Sequence, residues 1–150
     1  MLLESSFLLN KAREYCATSE RCIDDVERKL RQWKADENAI KVIINQLGKD
    51  DFINEERYAG AFAVGKLRHN KWGIKKIIYA LQSKHIPELY IQIGIGGIDE
   101  EEYINTLKAV LSSKRIDDDD EWRRNNKLVR FAVQKGFQAE ICWKIIKGEL

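Results

Sequence analysis

The sequence predicts an all-α protein made of three tandem three-helix units. Three observations carry that reading. Apolar residues recur at helical spacing in segment after segment, nine glycines and one proline in 150 residues are too few for a turn-rich β protein, and parts of the chain match one another at fixed offsets.

Each element has its own signal. The first segment places Leu8, Ala12 and Tyr15 on one stripe. Thr18 and Ser19 then offer hydroxyl caps to a second helix whose inner face is Ile23, Val26, Leu30 and Trp33. Asp36 caps a third, with Ile40, Ile43, Ile44 and Leu47 at i, i+3, i+4 and i+7, and Gly48 suits a left-handed end. Asn54 opens the fourth, where Glu55 and Glu56 in the first turn complement the helix dipole and Tyr58, Ala61 and Phe62 face inward. Beyond Arg68-His69-Asn70-Lys71 a fifth helix carries Ile74, Ile77, Ile78 and Leu81, and Pro87 fits the first turn of the next.

That sixth segment has two readings, because Tyr90 to Ile95 alternates apolar with polar or small residues as a strand would. A lone strand has no partner, so a short helix frayed at Gly94, Gly96 and Gly97 is expected. Asp99 caps a seventh helix, with Glu102 at the capping-box position and Tyr103, Leu107 and Leu111 inside. The acidic run Asp117 to Asp120 reads as a solvated loop before an eighth helix with Trp122, Leu128, Phe131 and Ala132, ended by Gly136. A ninth follows with Ile141 and Ile145.

The repeats turn this helix series into an architecture. Ile53-Asn54-Glu55-Glu56-Arg57-Tyr58 matches Ile98-Asp99-Glu100-Glu101-Glu102-Tyr103 at a shift of 45. Ile23, Val26 and Leu30 fall on Ile74, Ile77 and Leu81 at a shift of 51, and Ile78, Lys84 and Ile86 fall on Val129, Lys135 and Phe137 at the same shift. Units of residues 1–50, 51–97 and 98–150 are expected, stacked into an elongated, curved chain with a concave surface, since units this small bury their apolar faces against neighbours.

Composition narrows the function. At this length a core forms without a disulfide or metal staple. Cys16, Cys22 and Cys142 are odd in number and lack C-x-x-C spacing, so they read as reduced, buried thiols of a cytoplasmic protein. Met1-Leu2-Leu3-Glu4-Ser5-Ser6 carries acid where an export signal carries base, and no membrane span is expected. His69 and His85 are the only histidines, and no G-x-S-x-G, H-E-x-x-H or G-x-x-x-x-G-K occurs. The acidic run lacks the alternation and glycine of a calcium loop. No catalytic residue, metal site or cofactor is therefore expected.

Charge is uneven along the chain. Overall 26 basic residues balance 24 acidic ones, yet from Arg57 to Lys84 there are seven basic residues and no acid. Such a stretch suits a polyanion, with Trp72 and His69 placed to stack. The alternative is that these lysines and arginines only solubilise outer helix faces.

Several of these segments, taken together, resemble the bacterial RecX regulators of the RecA recombinase. The likeness is most specific in Phe52-Ile53-Asn54-Glu55-Glu56-Arg57-Tyr58-Ala59, in Lys66-Leu67-Arg68-His69-Asn70-Lys71-Trp72-Gly73, and in Ile77 to Leu81 with Lys84-His85-Ile86. Ser19 to Leu30 and Lys135-Gly136-Phe137 add to it. The resemblance implies a crescent of helical repeats that lodges in the groove of the recombinase filament on DNA and restrains ATP turnover and strand exchange, with no catalytic residues. Arg57, Lys66, Arg68, Lys71, Lys75 and Lys76 are expected to make the electrostatic contact, with Trp72 as an anchor on a monomer. The competing expectation is a stand-alone DNA-binding module of helix-turn-helix type. His85 departs from the family, which has glycine there, and implies a differently made end to the fifth helix. The aspartate run also lies outside the family pattern.

Overall fold

The computed structural model describes residues 2–150, with side chains from Glu4 onward. The amino-terminal charge pattern starts at Met1 and so lies partly outside the described residues. Among these run nine α-helices and no strand: α1 (Leu2–Thr18), α2 (Ile23–Gln32), α3 (Glu37–Lys49), α4 (Glu55–Gly65), α5 (Ile74–Ser83), α6 (Glu88–Gly96), α7 (Glu100–Ser113), α8 (Glu121–Gln134) and α9 (Ala139–Ile146). A π-helical turn, Lys66–Asn70, extends α4.

The end of the second helix and the start of the third repeat in strict register in each trio. Helices α3, α6 and α9 start at Glu37, Glu88 and Ala139, each 51 positions after the last. The left-handed residues Lys34, His85 and Gly136 share that spacing. Each closes the same helix end, in which the following amide (Ala35, Ile86 or Phe137) donates to the carbonyl five residues back (Leu30, Leu81 or Ala132). His85 therefore adopts the geometry that suits glycine, with φ 61°, and the end of α5 is not made differently.

Other local expectations change. Thr18 does not cap α2: its hydroxyl donates to the Tyr15 carbonyl in its own helix, while Cys22 occupies the cap position and donates its amide to Asp25. Helix α3 runs through Gly48 to Lys49, and Asp51 takes the left-handed turn at φ 61°. Gly94 is not frayed. It is buried in α6 where that helix crosses α4, and a Cβ there would sit 2.9 Å from the Ala59 carbonyl carbon. Asp36, Asn54 and Asp99 cap α3, α4 and α7 as expected. Glu102 turns away from the Asp99 amide to pair with Arg68, so half of the capping box is missing. Asp118 is no free loop carboxylate: it takes Lys127 at 2.9 Å, the Asp120 amide at 3.0 Å and Arg123 at 3.3 Å, which hold it well below the usual carboxylate range.

Buried side chains form two clusters rather than three. Leu8, Ala12, Val26, Leu30, Ile43 and Leu47 belong to the first, within the first trio. The second joins the other two trios through Leu67, Ile77, Leu81, Leu107, Ala132 and Phe137. Between the second and third trios the backbones meet directly. The Gly73 and Lys75 amides at the start of α5 donate to the Lys135 and Gly136 carbonyls at the end of α8, at 2.8 and 3.0 Å, so the positive end of one helix dipole sits on the negative end of another. The Ile74 amide donates to the Tyr103 hydroxyl at 3.0 Å, and that hydroxyl donates to Gln138. Burial pushes the Tyr103 hydroxyl up to about 12, so it stays a donor.

The first and second trios meet differently, through polar side chains. Glu55 accepts the Ile23 amide at 3.1 Å, Lys84 pairs with Asp25 at 2.6 Å, and Arg57 pairs with Glu20 at 2.8 Å. Cys22 also reaches across, packing with Tyr58 in the second core.

Candidate functional site

Tertiary structure supplies the acids that the Arg57 to Lys84 stretch lacks. Arg57 is held by Glu20 and, at 3.1 Å, by Asp51. Arg68 is held by Glu102 at 2.6 Å and Lys84 by Asp25. Lys71, the left-handed residue after the π turn, borders a shallow groove with Asp99, Glu101 and Glu102. Of the expected contact residues, Arg57, Arg68 and Lys71 thus stand beside carboxylates.

The structure does bring Lys66, Trp72 and Lys76 together. The Lys66 ammonium lies 4.8 Å and the Lys76 ammonium 4.7 Å from the centre of the Trp72 ring, one from α4's extension and one from α5. The π turn positions this group. Its wider loop carries the Trp72 amide back to the Lys66 carbonyl at 3.1 Å, closing the chain so that the indole lies over Lys66. Phe62 meets Trp72 edge to face at 6.4 Å between centroids. Lys75, next to Lys76, is exposed. Among the described residues Lys66, Lys75 and Lys76 make no ion pair with a carboxylate. Lys75 and Lys76 also lie in the first turn of α5, where the matching positions of the first trio are Asp24 and Asp25. Cations there oppose the dipole of α5, but the carboxyl end of α8 abuts them and offsets that cost.

Sequence reasoning missed the wider pattern to which Trp72 belongs. Rings and cations alternate through the first two trios. Lys11 lies 4.3 Å from the centre of the Trp33 ring, Trp33 meets Tyr15 edge to face, and Arg21 lies 4.0 Å over Tyr15. Across a cleft stand Tyr58 and Phe62, their centroids 5.7 Å apart, followed by Lys66, Trp72 and Lys76. A signal was available, because Phe62 and Lys66, and Lys29 and Trp33, are each four residues apart, the spacing that stacks side chains on a helix, and Trp72 and Lys76 keep it across the start of α5.

Among the described residues no three His, Cys, Asp or Glu side chains gather as a metal site would need. The three thiols are free and buried, and burial raises all of them, Cys22 to about 11, so none is activated as a nucleophile. No helix among the described residues is long and apolar enough to cross a membrane.

Residues 54–93, which carry the π turn and the Trp72 group, match the family model for the second three-helix domain of RecX. The regulatory protein RecX of Clostridium botulinum is 31 % identical over 144 residues, covering 85 % of this chain and 66 % of that protein. The chain belongs to the RecX family. A RecX relative in Acinetobacter baylyi is 26 % identical over 141 residues, covering 94 % of this chain and 83 % of its own length. The crystal structure of RecX from Lactobacillus salivarius superposes with a TM-score of 0.85 at 25 % identity, covering 99 % of this chain and 97 % of that one. The chain spans about two thirds of the length of the first clostridial RecX relatives.

Proposed function

We propose that this RecX-family protein binds a recombinase filament on DNA and restrains it by occupying the filament groove. Membership of a family whose relatives are named regulatory proteins supports a regulator rather than an enzyme. The observation that carries the partner reading is the Trp72 group: two lysines on one half-buried indole, with Lys75 beside them, free of carboxylate partners while Arg57, Arg68 and Lys84 of the same stretch are paired. A filament groove offers acidic protein surface and DNA phosphate, and such a group meets both. Arg57 and Arg68 instead serve the fold, as ion pairs between trios, and Lys71 adds long-range attraction. The units of residues 1–50, 51–97 and 98–150 are the modules laid along the groove, in cytoplasm.

The test is ATP hydrolysis by the cognate recombinase on single-stranded DNA, with this protein added below stoichiometry. Inhibition is expected, and the triple substitution Lys66→Glu, Lys75→Glu, Lys76→Glu weakens it at least tenfold while the helical circular dichroism signal persists. Absence of inhibition together with steeply salt-dependent binding to bare duplex DNA would establish the helix-turn-helix module instead.

A further inference from the structure

We infer that the cleft between the first and second trios is a binding site for one unstacked nucleotide of a single-stranded nucleic acid. The cleft holds about 360 Å³, at the small end of ligand-site volumes, and is lined by Tyr15 and Arg21 on one side and Tyr58, Phe62, Lys66 and Lys84 on the other. This inference stands on residues of both trios and does not require a recombinase.

Three features identify the ligand class. Aromatic rings on both sides offer faces or edges to a planar base, and every base has a π face. Cations accompany those rings. Arg21 lies over Tyr15 and spends its hydrogen bonds on the Tyr15 carbonyl and the Thr18 hydroxyl, not on a carboxylate. Lys66 lies 5.4 Å from the centre of the Phe62 ring. The acids that also line the cleft are already engaged: Glu20 by Arg57, and Asp25 by Lys84 and the Cys22 amide. An entering phosphate therefore meets Arg21 and Lys66 as the uncompensated charges.

Continuity supplies the third feature. From the cleft the alternation runs outward to Trp33 and Lys11 in one direction and to Trp72 and Lys76 in the other. A strand held at the cleft finds further rings and cations on each side. Duplex DNA cannot use this arrangement, because its bases are stacked inward and would leave the rings without partners.

Binding of a labelled 20-residue oligothymidylate to the intact protein tests the site, with a duplex of equal length and heparin as polyanions that offer no free base. The single strand is expected to bind at least tenfold tighter than the duplex at equal salt. Tyr15→Leu and Phe62→Leu, which keep apolar bulk but remove the ring, are each expected to weaken the single strand about tenfold and leave heparin binding unchanged. An oligodeoxyuridylate and an oligouridylate run in parallel, which differ only at the 2′ position, name the sugar, the tighter of the two being the preferred ligand. Equal affinity for single strand and duplex overturns the inference, as does an unaltered oligothymidylate affinity in both variants. Should either variant fail to fold, photocrosslinking of a 5-bromodeoxyuridine oligonucleotide to the unaltered protein decides. Adducts at Tyr15 or Phe62 support the site, and adducts confined to other residues, Trp72 included, overturn it. Because no recombinase is present, failure here is separate from failure of filament inhibition.

Discussion

Asp25 shows how much one side chain can join. It accepts the Cys22 amide at the start of its own helix and the Lys84 ammonium from the next trio, at 3.3 and 2.6 Å. Burial works against its charge, but these two donors outweigh burial and hold its carboxyl below the ordinary value. A carboxyl lowered on folding stabilises the protein at pH values above its unfolded pKa of about 3.9 and loses that contribution as pH falls through the lower folded value. Asp25→Asn is therefore expected to cost roughly 1–3 kcal/mol near neutral pH, since it leaves the Lys84 charge half-buried without a counterion. Denaturation curves of the variant and the parent should converge as pH drops below about 3.9. A difference that stays constant down to pH 2 would assign the loss to packing.

At the scale of elements, glycines separate close approach from open surface. Gly60 sits inside α4 with no atom within 4 Å of where a Cβ would stand. Gly60→Ala should stabilise the protein by roughly 0.5–1 kcal/mol, because alanine loses less backbone freedom on folding. At Gly73 a Cβ would lie 2.3 Å from the Gly136 carbonyl carbon and the Phe137 nitrogen, backbone atoms that cannot move aside separately. Gly73→Ala should cost roughly 1–3 kcal/mol or more by forcing α5 and α8 apart. Urea midpoints of the two variants should shift in opposite directions. Helices α3, α4 and α7 were legible because an N-cap residue and an apolar stripe act within a few residues. Gly94 was misread because the same local signal, a glycine near a helix end, describes both fraying and a helix crossing.

For the whole molecule, the two trio junctions differ in kind. Direct backbone hydrogen bonds and a shared apolar core tie the second trio to the third, whereas side-chain ion pairs and the edge of Cys22 tie the first to the second. Amide hydrogen exchange should therefore sort into two groups. Buried amides of α4 to α9 should open together, and those of α1 to α3 should open at lower free energy with greater sensitivity to salt. Uniform exchange across all nine helices would contradict this division. A nucleic acid strand bound at the cleft would bridge the two groups and bring their exchange closer.

The sequence by itself determined the helices, the 51-residue register and the family, because capping, amphipathic stripes and repeats are written in residues close together or at constant offsets. It also marked Lys66, Trp72 and Lys76, whose meeting depends on one turn of chain. Only the tertiary structure decided which cations stay free, since Glu20, Asp51 and Glu102 lie outside the basic stretch and reach Arg57 and Arg68 through packing. Electrostatic energy depends on separation in space, so a net charge counted along a chain cannot reveal which of its members are already neutralised.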